Sequence, residues 1–204
     1  MSIENYRGAL SPAQAAEGSA AALRNSKRLL HDAEMLFSAG RKPTAVALAV
    51  LAAEEVTKAR MIWLVVAAKT DGARKDAWKE IRSHKFKHGP LLHITRLLTE
   101  SGQLGDTLPI TAFDEVKLHG FYIDPYEDEQ GFYWAEPDGG RFDGDLGQGI
   151  MNAVRRIIEL ARACSQREIE LLAEYFSSDS EKDAAMQLSL WIAAMEREGL
   201  DPHN

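Results

Sequence analysis

The residues best suited to chemistry form a cationic segment between Trp78 and Pro90. This segment contains one arginine, three lysines and two histidines against one acid, in a chain whose formal net charge is −7. A guanidinium group can hold phosphate oxygens, and an imidazole can move a proton at neutral pH. These are the groups needed to bind and cleave a phosphodiester. The alternative is a solvated basic helix face that ends at Gly89-Pro90.

The two histidines of this segment also allow a metal site. His84 and His88 are four residues apart, so on one continuous helix both rings would point to the same side, as helical metal ligands do. Asp32, Glu54 or Glu55 on neighbouring helices could complete such a site. The segment lacks the glutamate that follows the first histidine in zinc proteases, and three nearby cations would oppose a dication. We therefore predict no metal and no cofactor.

A second feature is a pair of acids inside an apolar helix. Glu54 and Glu55 lie in a segment that is apolar on most sides, so the helix has little room to turn both carboxylates to water. At least one of them should lie near the core, held by Lys58 or by a cation on another helix. Such a carboxylate is either a satisfied buried ion pair or a group that orients an arginine or histidine of a site.

Composition limits the class of protein. Hydrophobic residues make up 45% of the 204 residues and charged residues 27%, which is ordinary for a soluble globular chain. The single Cys164 excludes an internal disulfide framework and suits a reducing cytoplasm, where we expect its thiol to be packed inside a helix. The start of the chain does not fit a secretory signal, and the most apolar stretch contains four charged residues, so we predict no membrane association.

Hydrophobic periodicity predicts an all-α fold in a single domain over residues 1–204. A helix capped by Ser11-Pro12 and closed by Gly40 is followed by helices that belong to a bundle of about five long helices. The predicted helices cover about residues 11–39, 44–69, 74–86 with a continuation at 91–100, 148–176 and 179–198. Residues 101–147 are predicted to form an irregular excursion, rich in glycine and aromatic residues, with one helical piece near 111–120. At most a small hairpin is expected around residues 132–142.

The excursion concentrates aromatic residues between Phe121 and Trp134. Aromatic rings can stack on unpaired bases, but the acids between them would repel phosphate. We therefore expect the aromatics to attach the excursion to the bundle. Within this region we predict that Tyr122 and Asp124 lie near the site, with Asp124 orienting a histidine or pairing with Arg82.

Four sequence motifs together resemble a known family. They are Ala22-Leu23-Arg24-Asn25-Ser26 with Leu29 to Leu36, Ala45 to Lys58, Arg82-Ser83-His84-Lys85-Phe86-Lys87, and Lys117-Leu118-His119-Gly120-Phe121-Tyr122-Ile123-Asp124. In this order they resemble the AbiV-type abortive-infection proteins of the HEPN superfamily of helical bundles. The resemblance covers roughly residues 20–124.

The resemblance implies a HEPN-like bundle and a site centred on Arg82. Arg82 and His88 have five residues between them, similar to the arginine–histidine spacing of active HEPN ribonucleases, whereas His84 better matches the His-Lys-x-Lys motif of the abortive-infection subgroup. Ser83 departs from the amide or acid that many members carry. The site residues that follow are Arg82, His84 and His88 as catalytic groups, Lys79, Lys85 and Lys87 as RNA- or phosphate-binding groups, and Glu54, Glu55, Lys58, Tyr122 and Asp124 as supporting groups.

Two functions follow from this reading. The first is a toxin-like, metal-independent endoribonuclease in phage defence, acting on RNA or ribosome-associated RNA, with a phage protein as trigger and an antitoxin as further expected partners. The second is a non-catalytic HEPN-type module that binds a phage protein, a nucleotide or a ribosomal component. The resemblance also implies a homodimer, in which the arginine–histidine segments of two protomers face each other and double the cationic charge over one cleft.

Overall fold

The computed structural model describes residues 5–83, 117, 120–129, 131–137, 142, 145–176 and 184–200. Helices dominate this part of the chain, and no helix in it is long and apolar enough to cross a membrane. The predicted all-α class is confirmed. The elements are α1 (Pro12–Ser38), α2 (Lys42–Met61), α3 (Trp63–Ala67), α4 (Asp71–Arg82), β1 (Asp124–Asp128), β2 (Gly131–Ala135), α5 (Asp145–Leu160), α6 (Gln166–Tyr175) and α7 (Ala184–Arg197).

These residues form two compact units. The first unit combines residues 5–23, 58–83, 162–176 and 184–200, and the second combines residues 24–57 with the described residues between 117 and 161. Each unit is thus assembled from segments that are distant in the sequence. The single domain expected over residues 1–204 stays a prediction.

The residues from which the ends of α1 were predicted form its caps in the structure. The Ser11 hydroxyl oxygen accepts a hydrogen bond from the Gln14 N–H at 3.2 Å, and the Gln14 side-chain oxygen accepts one from the Ser11 N–H at 2.9 Å, which is a capping box. At the other end Gly40 has φ of 78°, and the N–H groups of Gly40 and Arg41 donate to the carbonyls of Phe37 and Leu36. This Schellman motif needs a residue that tolerates a left-handed backbone, which glycine provides.

The second predicted helix is divided in two. Ile62 separates α2 from α3, and the Val65 N–H donates to the Ile62 carbonyl, three residues back, at 3.2 Å. From Ala45 to Thr57, α2 is buried on almost every side, with alanines interspersed among valines. It is therefore a central helix of the second unit, as its apolar sequence predicted.

Helix α4 begins earlier and ends earlier than predicted. The Thr70 hydroxyl oxygen accepts a hydrogen bond from the Ala73 N–H at 3.2 Å, so α4 begins at Asp71 and not near the predicted residue 74. After Arg82 the backbone leaves the helix, because Ser83 has an extended conformation with φ of −74° and ψ of 125°. The predicted continuation of this helix to residue 86 is therefore wrong at Ser83.

The long helix predicted over residues 148–176 is also wrong. It is two helices, α5 and α6, with residues 161–165 between them. Ser165 and Glu168 form a capping box that starts α6, with the Glu168 carboxylate accepting a hydrogen bond from the Ser165 N–H at 2.7 Å. Residues 5–83, 145–176 and 184–200 thus contain seven helices, one of them only five residues long, where about five long helices were expected, and residues 117 and 120–121 are helical as well.

In the first unit, α6 packs against α7 through one apolar cluster. Its buried members are Leu171, Trp191, Ala194 and Met195, and Leu200 packs against them. Arg167 on α6 forms an ion pair with Glu198, just after α7. Another buried cluster joins Ala15 of α1 to Ile62, Cys164 and Ile169.

The excursion contains a hairpin, but not where it was expected. Strands β1 and β2 pair antiparallel, with Asp124 opposite Ala135 and Asp128 opposite Gly131. The connection between the strands therefore lies between Asp128 and Gly131, and Glu129 is in a turn. The hairpin was expected around residues 132–142, of which residues 138–141 lie outside the described part of the chain.

The aromatics of this hairpin are exposed. Phe132 and Trp134, two residues apart on β2, have 66% and 58% of their surface accessible, and Tyr133 is also exposed. The expectation that these rings attach the excursion to the bundle is wrong for Phe132 and Trp134, which have more than half of their surface exposed.

Candidate functional site

Arg82 is the last residue of α4 and contacts the segment that precedes α1. Its Nη2 donates a hydrogen bond to the Tyr6 carbonyl at 2.7 Å, and its guanidinium lies 4.9 Å from the centre of the Trp78 ring, one helical turn earlier. The side chain is nevertheless exposed, and a guanidinium has five N–H donors. Arg82 can therefore hold the N-terminal segment and still present donors to an anion.

Trp78 fixes the same N-terminal segment from a second direction. Its indole Nε1 donates to the Gly8 carbonyl at 3.0 Å, and its ring meets the Tyr6 ring edge-to-face with the centroids 6.3 Å apart. The inner edge of α4 packs through Ala77 and Ile81 against Met61 and Val65. As a result, the outer face of α4 and residues 6–8 form one surface.

A cavity of about 890 Å³ opens on this surface. Its lining includes five cationic side chains, two carboxylates and the Trp78 indole. The cations are Arg7, Arg74, Lys75, Lys79 and Arg82, and the acids are Asp71 and Asp76. Two of the predicted site residues, Lys79 and Arg82, therefore share one cavity, and an excess of positive charge surrounds them.

The remaining members of the predicted cationic site, His84, Lys85, Lys87 and His88, lie outside the described residues. The metal alternative, which placed His84 and His88 on one continuous helix, therefore falls on residues beyond the described part of the chain. Among the residues that are described, no three His, Cys, Asp or Glu side chains converge as metal ligands would.

In the second unit, Glu54 is buried and paired. Only 2% of this residue is accessible, and its Oε1 lies 2.8 Å from Nζ of Lys117. The prediction that at least one acid of this pair lies near the core is confirmed. Lys117 was not predicted as the partner of Glu54, although it is the first residue of the motif that ends at Asp124. Its place in this motif marks Lys117 as a candidate site residue but does not indicate Glu54 as its partner.

Glu55 belongs to a separate polar network between α2 and α1. Its Oε2 accepts a hydrogen bond from Nδ2 of Asn25 at 3.2 Å. The Asn25 side-chain oxygen in turn accepts from Arg28 at 3.0 Å, and Arg28 pairs with Asp32 at 2.9 Å. Asn25 was also missed as a site residue, although it lies in the first of the four family-like motifs. His31, beside Asp32, is exposed as a surface residue.

The other supporting residues are placed as follows. Tyr122 is exposed and contacts Phe121 edge-to-face at 6.4 Å, while Asp124 is the first residue of β1. Lys58 is half-buried in the first unit. The predicted site residues are thus divided between the two units, and their convergence on one site stays a prediction.

Cys164 is packed, as predicted, but lies in the connection between α5 and α6 and not in a helix. Burial raises the pKa of its thiol, and nearby Arg60, 3.7 Å from the sulfur, opposes that rise only in part. The thiol is therefore held protonated, which does not suit a nucleophile.

The helical fold and the polar residues on α1 and α2 are consistent with a HEPN-like helical bundle. The AbiV family model of the HEPN group matches residues 14–159, which is most of the chain. The chain therefore belongs to the AbiV family of HEPN proteins, and this membership associates it with abortive infection. No curated protein and no solved structure matches the chain. The matched range contains every predicted site residue, whereas Arg7 of the cavity precedes it.

Proposed function

We propose that this protein is an abortive-infection effector that binds RNA and cleaves it without a metal, with Arg82 contacting the scissile phosphate. The observation that carries the proposal is the cavity around Arg82. Five cations line it in a chain whose formal net charge is −7, so positive charge is concentrated where a phosphate would be bound.

The chemistry requires a proton acceptor next to the phosphate. An imidazole of His84 or His88 takes the proton from a ribose 2′-hydroxyl, and the 2′-oxygen attacks the adjacent phosphorus. The bond from phosphorus to the 5′-oxygen breaks, and that oxygen takes a proton from the imidazolium or from water as it leaves. The products are a 2′,3′-cyclic phosphate and a 5′-hydroxyl end. Arg82 and the neighbouring lysines stabilise the negative charge that builds on the phosphoryl oxygens.

A homodimer would complete this site. One cationic segment offers few groups to clamp a phosphate, and a twofold axis would place two such segments over one cleft. Light scattering over micromolar concentrations tests this part of the proposal. A mass near twice 22.6 kDa is expected, and a mass of 22.6 kDa throughout would remove the two-protomer site.

The second candidate is a non-catalytic module that binds a nucleotide, a phage protein or a ribosomal component. The contacts of Arg82 favour it, because part of the guanidinium is already engaged by the Tyr6 carbonyl and the Trp78 ring. Such an arginine can serve as a structural and binding group without taking part in cleavage.

The deciding experiment compares Arg82→Lys, His84→Ala and His88→Ala with the wild-type protein. The readouts are the growth of expressing cells and the cleavage of RNA in excess chelator, with cyclic phosphate ends identified on the products. Arg24→Lys, at an exposed arginine of α1, is the matched control. We expect Arg82→Lys and at least one histidine variant to lose cleavage by about 10²-fold or more.

Three other outcomes of this experiment would contradict the proposed mechanism. If all three variants cleave like the wild type, the site assignment is wrong. If chelator alone abolishes cleavage, the metal alternative replaces this mechanism. If the wild type binds RNA without cutting it, the second candidate stands. Melting temperatures of all variants separate loss of chemistry from loss of fold, since Arg82 also holds the N-terminal segment.

A further inference from the structure

Arg74 lines the cavity beside Arg82 and is paired with Asp71, with Nη1 2.6 Å from the carboxylate. Its Nε is buried with no hydrogen-bond acceptor among the described residues, and an atom without accessible surface is not within reach of a ligand in the cavity. The groups available to a ligand are therefore the exposed cations of the lining.

The charges that line this cavity favour an anion. Arg7 and Lys75 are exposed cations on the rim, and Lys79 and Arg82 extend the positive surface toward the end of α4. Of the two acids in the lining, Asp71 is already paired with Arg74 and its side chain is 97% accessible to water. The cavity therefore keeps a net positive charge.

The apolar part of the lining suits a flat ring. The Trp78 indole lines the cavity, and its hydrogen bond to Gly8 and its contacts with Tyr6 and Arg82 hold it in one orientation. Indole rings stack well on nucleobases. The volume of about 890 Å³ lies within the range of small-molecule pockets.

We propose that this cavity is a nucleotide-binding subsite. Arg7 and Lys75 contact phosphate oxygens, and the Trp78 indole contacts the base. The subsite rests on the proposed function in that RNA is the expected source of the nucleotide, and it adds Arg7, Lys75 and Trp78 to the residues that bind it. A free nucleoside phosphate carries the same chemistry and is the other source to be tested.

The first test measures binding of a labelled short single-stranded RNA by fluorescence anisotropy at several salt concentrations. Arg7→Gln and Lys75→Gln are compared with Lys27→Gln, which removes the same charge from an exposed position on α1 outside the cavity. We expect each cavity variant to bind about tenfold more weakly. Each should also reduce the slope of log K against log salt by about 0.7, the value for one phosphate contact to a single strand. Equal effects of all three variants would overturn the subsite.

The second test concerns the base. Trp78→Phe and Trp78→Leu both remove the hydrogen bond to Gly8, but only Trp78→Phe keeps an aromatic ring. We expect Trp78→Leu to bind RNA at least about fivefold more weakly than Trp78→Phe, because base stacking is lost. Equal affinities of the two variants would remove the base contact from the proposal.

Competition with adenosine monophosphate and with inorganic phosphate identifies the source. Displacement of the RNA by the mononucleotide at micromolar concentration supports a site for a free nucleotide, and failure to displace it supports one unit of an RNA strand.

The experiments distinguish failure of the proposed function from failure of the subsite. Loss of binding in the cavity variants of a protein that does not cleave RNA keeps the subsite and removes the nuclease. Cleavage that requires Arg82 but is unaffected by Arg7→Gln and Lys75→Gln would keep the nuclease and remove the subsite.

Discussion

Nζ of Lys117 lies 2.8 Å from Oε1 of Glu54, and both side chains are almost entirely removed from water. This ion pair joins the motif on α2 to the motif that runs from Lys117 to Asp124. Removing one partner of such a pair leaves a buried charge uncompensated, which is strongly destabilising. The pair therefore fixes how these two motifs are held together within the second unit.

We expect Glu54→Leu and Lys117→Met each to lower the free energy of unfolding by about 3–5 kcal/mol. The double variant Glu54→Leu/Lys117→Met should lose much less than the sum of the two, because it leaves no charge behind. Urea denaturation of the four proteins measures this, with Glu17→Gln at an exposed position of α1 as the control. Strictly additive losses would show that the two side chains do not interact.

Gly120 marks a close approach in the same motif. A Cβ atom at this residue would lie 2.5 Å from the Ala47 Cβ and 2.5 Å from the Pro43 carbonyl oxygen, both on α2. Because the oxygen belongs to the backbone, it cannot move aside easily. We expect Gly120→Ala to cost about 1–3 kcal/mol of unfolding free energy.

Gly72→Ala is the matched control for this substitution. Gly72 lies in the first turn of α4, and the nearest atom to its added Cβ would be 4.0 Å away. Alanine there should stabilise the protein by about 0.4–1 kcal/mol, through the loss of freedom in the unfolded chain. If the free energy of unfolding changes with the same sign in both variants, the close approach at Gly120 is contradicted.

Glu168 makes stability depend on pH. Burial alone would raise its pKa, but hydrogen bonds from Arg162 and from the Ser165 N–H outweigh burial and hold the pKa below the ordinary 4.5. A carboxyl with a lowered folded pKa contributes stability above its unfolded pKa and loses it as the pH falls through the folded value.

We therefore expect Glu168→Gln to destabilise the protein by about 2 kcal/mol at pH 7, since a hydrogen-bonded charge is lost while the amide oxygen can still cap α6. The difference from the wild type should shrink as the pH falls below 4.5. Melting temperatures between pH 7 and pH 3 measure this difference. A gap that stays constant over that range would show that the Glu168 charge has no role.

The sequence predicted features that depend on neighbouring residues. Ser11-Pro12 and Gly40 determine the ends of α1 because caps act within one turn of the helix. The burial of Glu54 followed from the apolar residues around it. The break before α6 could also have been read from Ser165 and Glu168, which form a capping box, but the apolar period continues through it and conceals the break.

Features that depend on distant residues could not be predicted. Lys117 is 63 residues from Glu54, and Arg82 contacts Tyr6 across 76 residues, so no local pattern indicates either pairing. The cavity has the same origin. It is lined by Arg7, which belongs to no recognisable motif, and by the charged face of α4. That face alone has the pattern of an ordinary solvent-exposed helix.

The hairpin aromatics were expected to pack against the bundle. Trp134 on β2 is 58% accessible and its described ring contact is with Phe132, whereas Trp191 on α7 is 8% accessible and packs in the apolar cluster between α6 and α7. We expect Trp134→Ala to change the free energy of unfolding by no more than about 1 kcal/mol, the scale of one aromatic pair. Trp191→Ala should cost about 3–5 kcal/mol, because it empties a packed core position. Urea denaturation of the two variants compares the same substitution in both environments. A loss at Trp134 as large as that at Trp191 would show that the hairpin is packed after all.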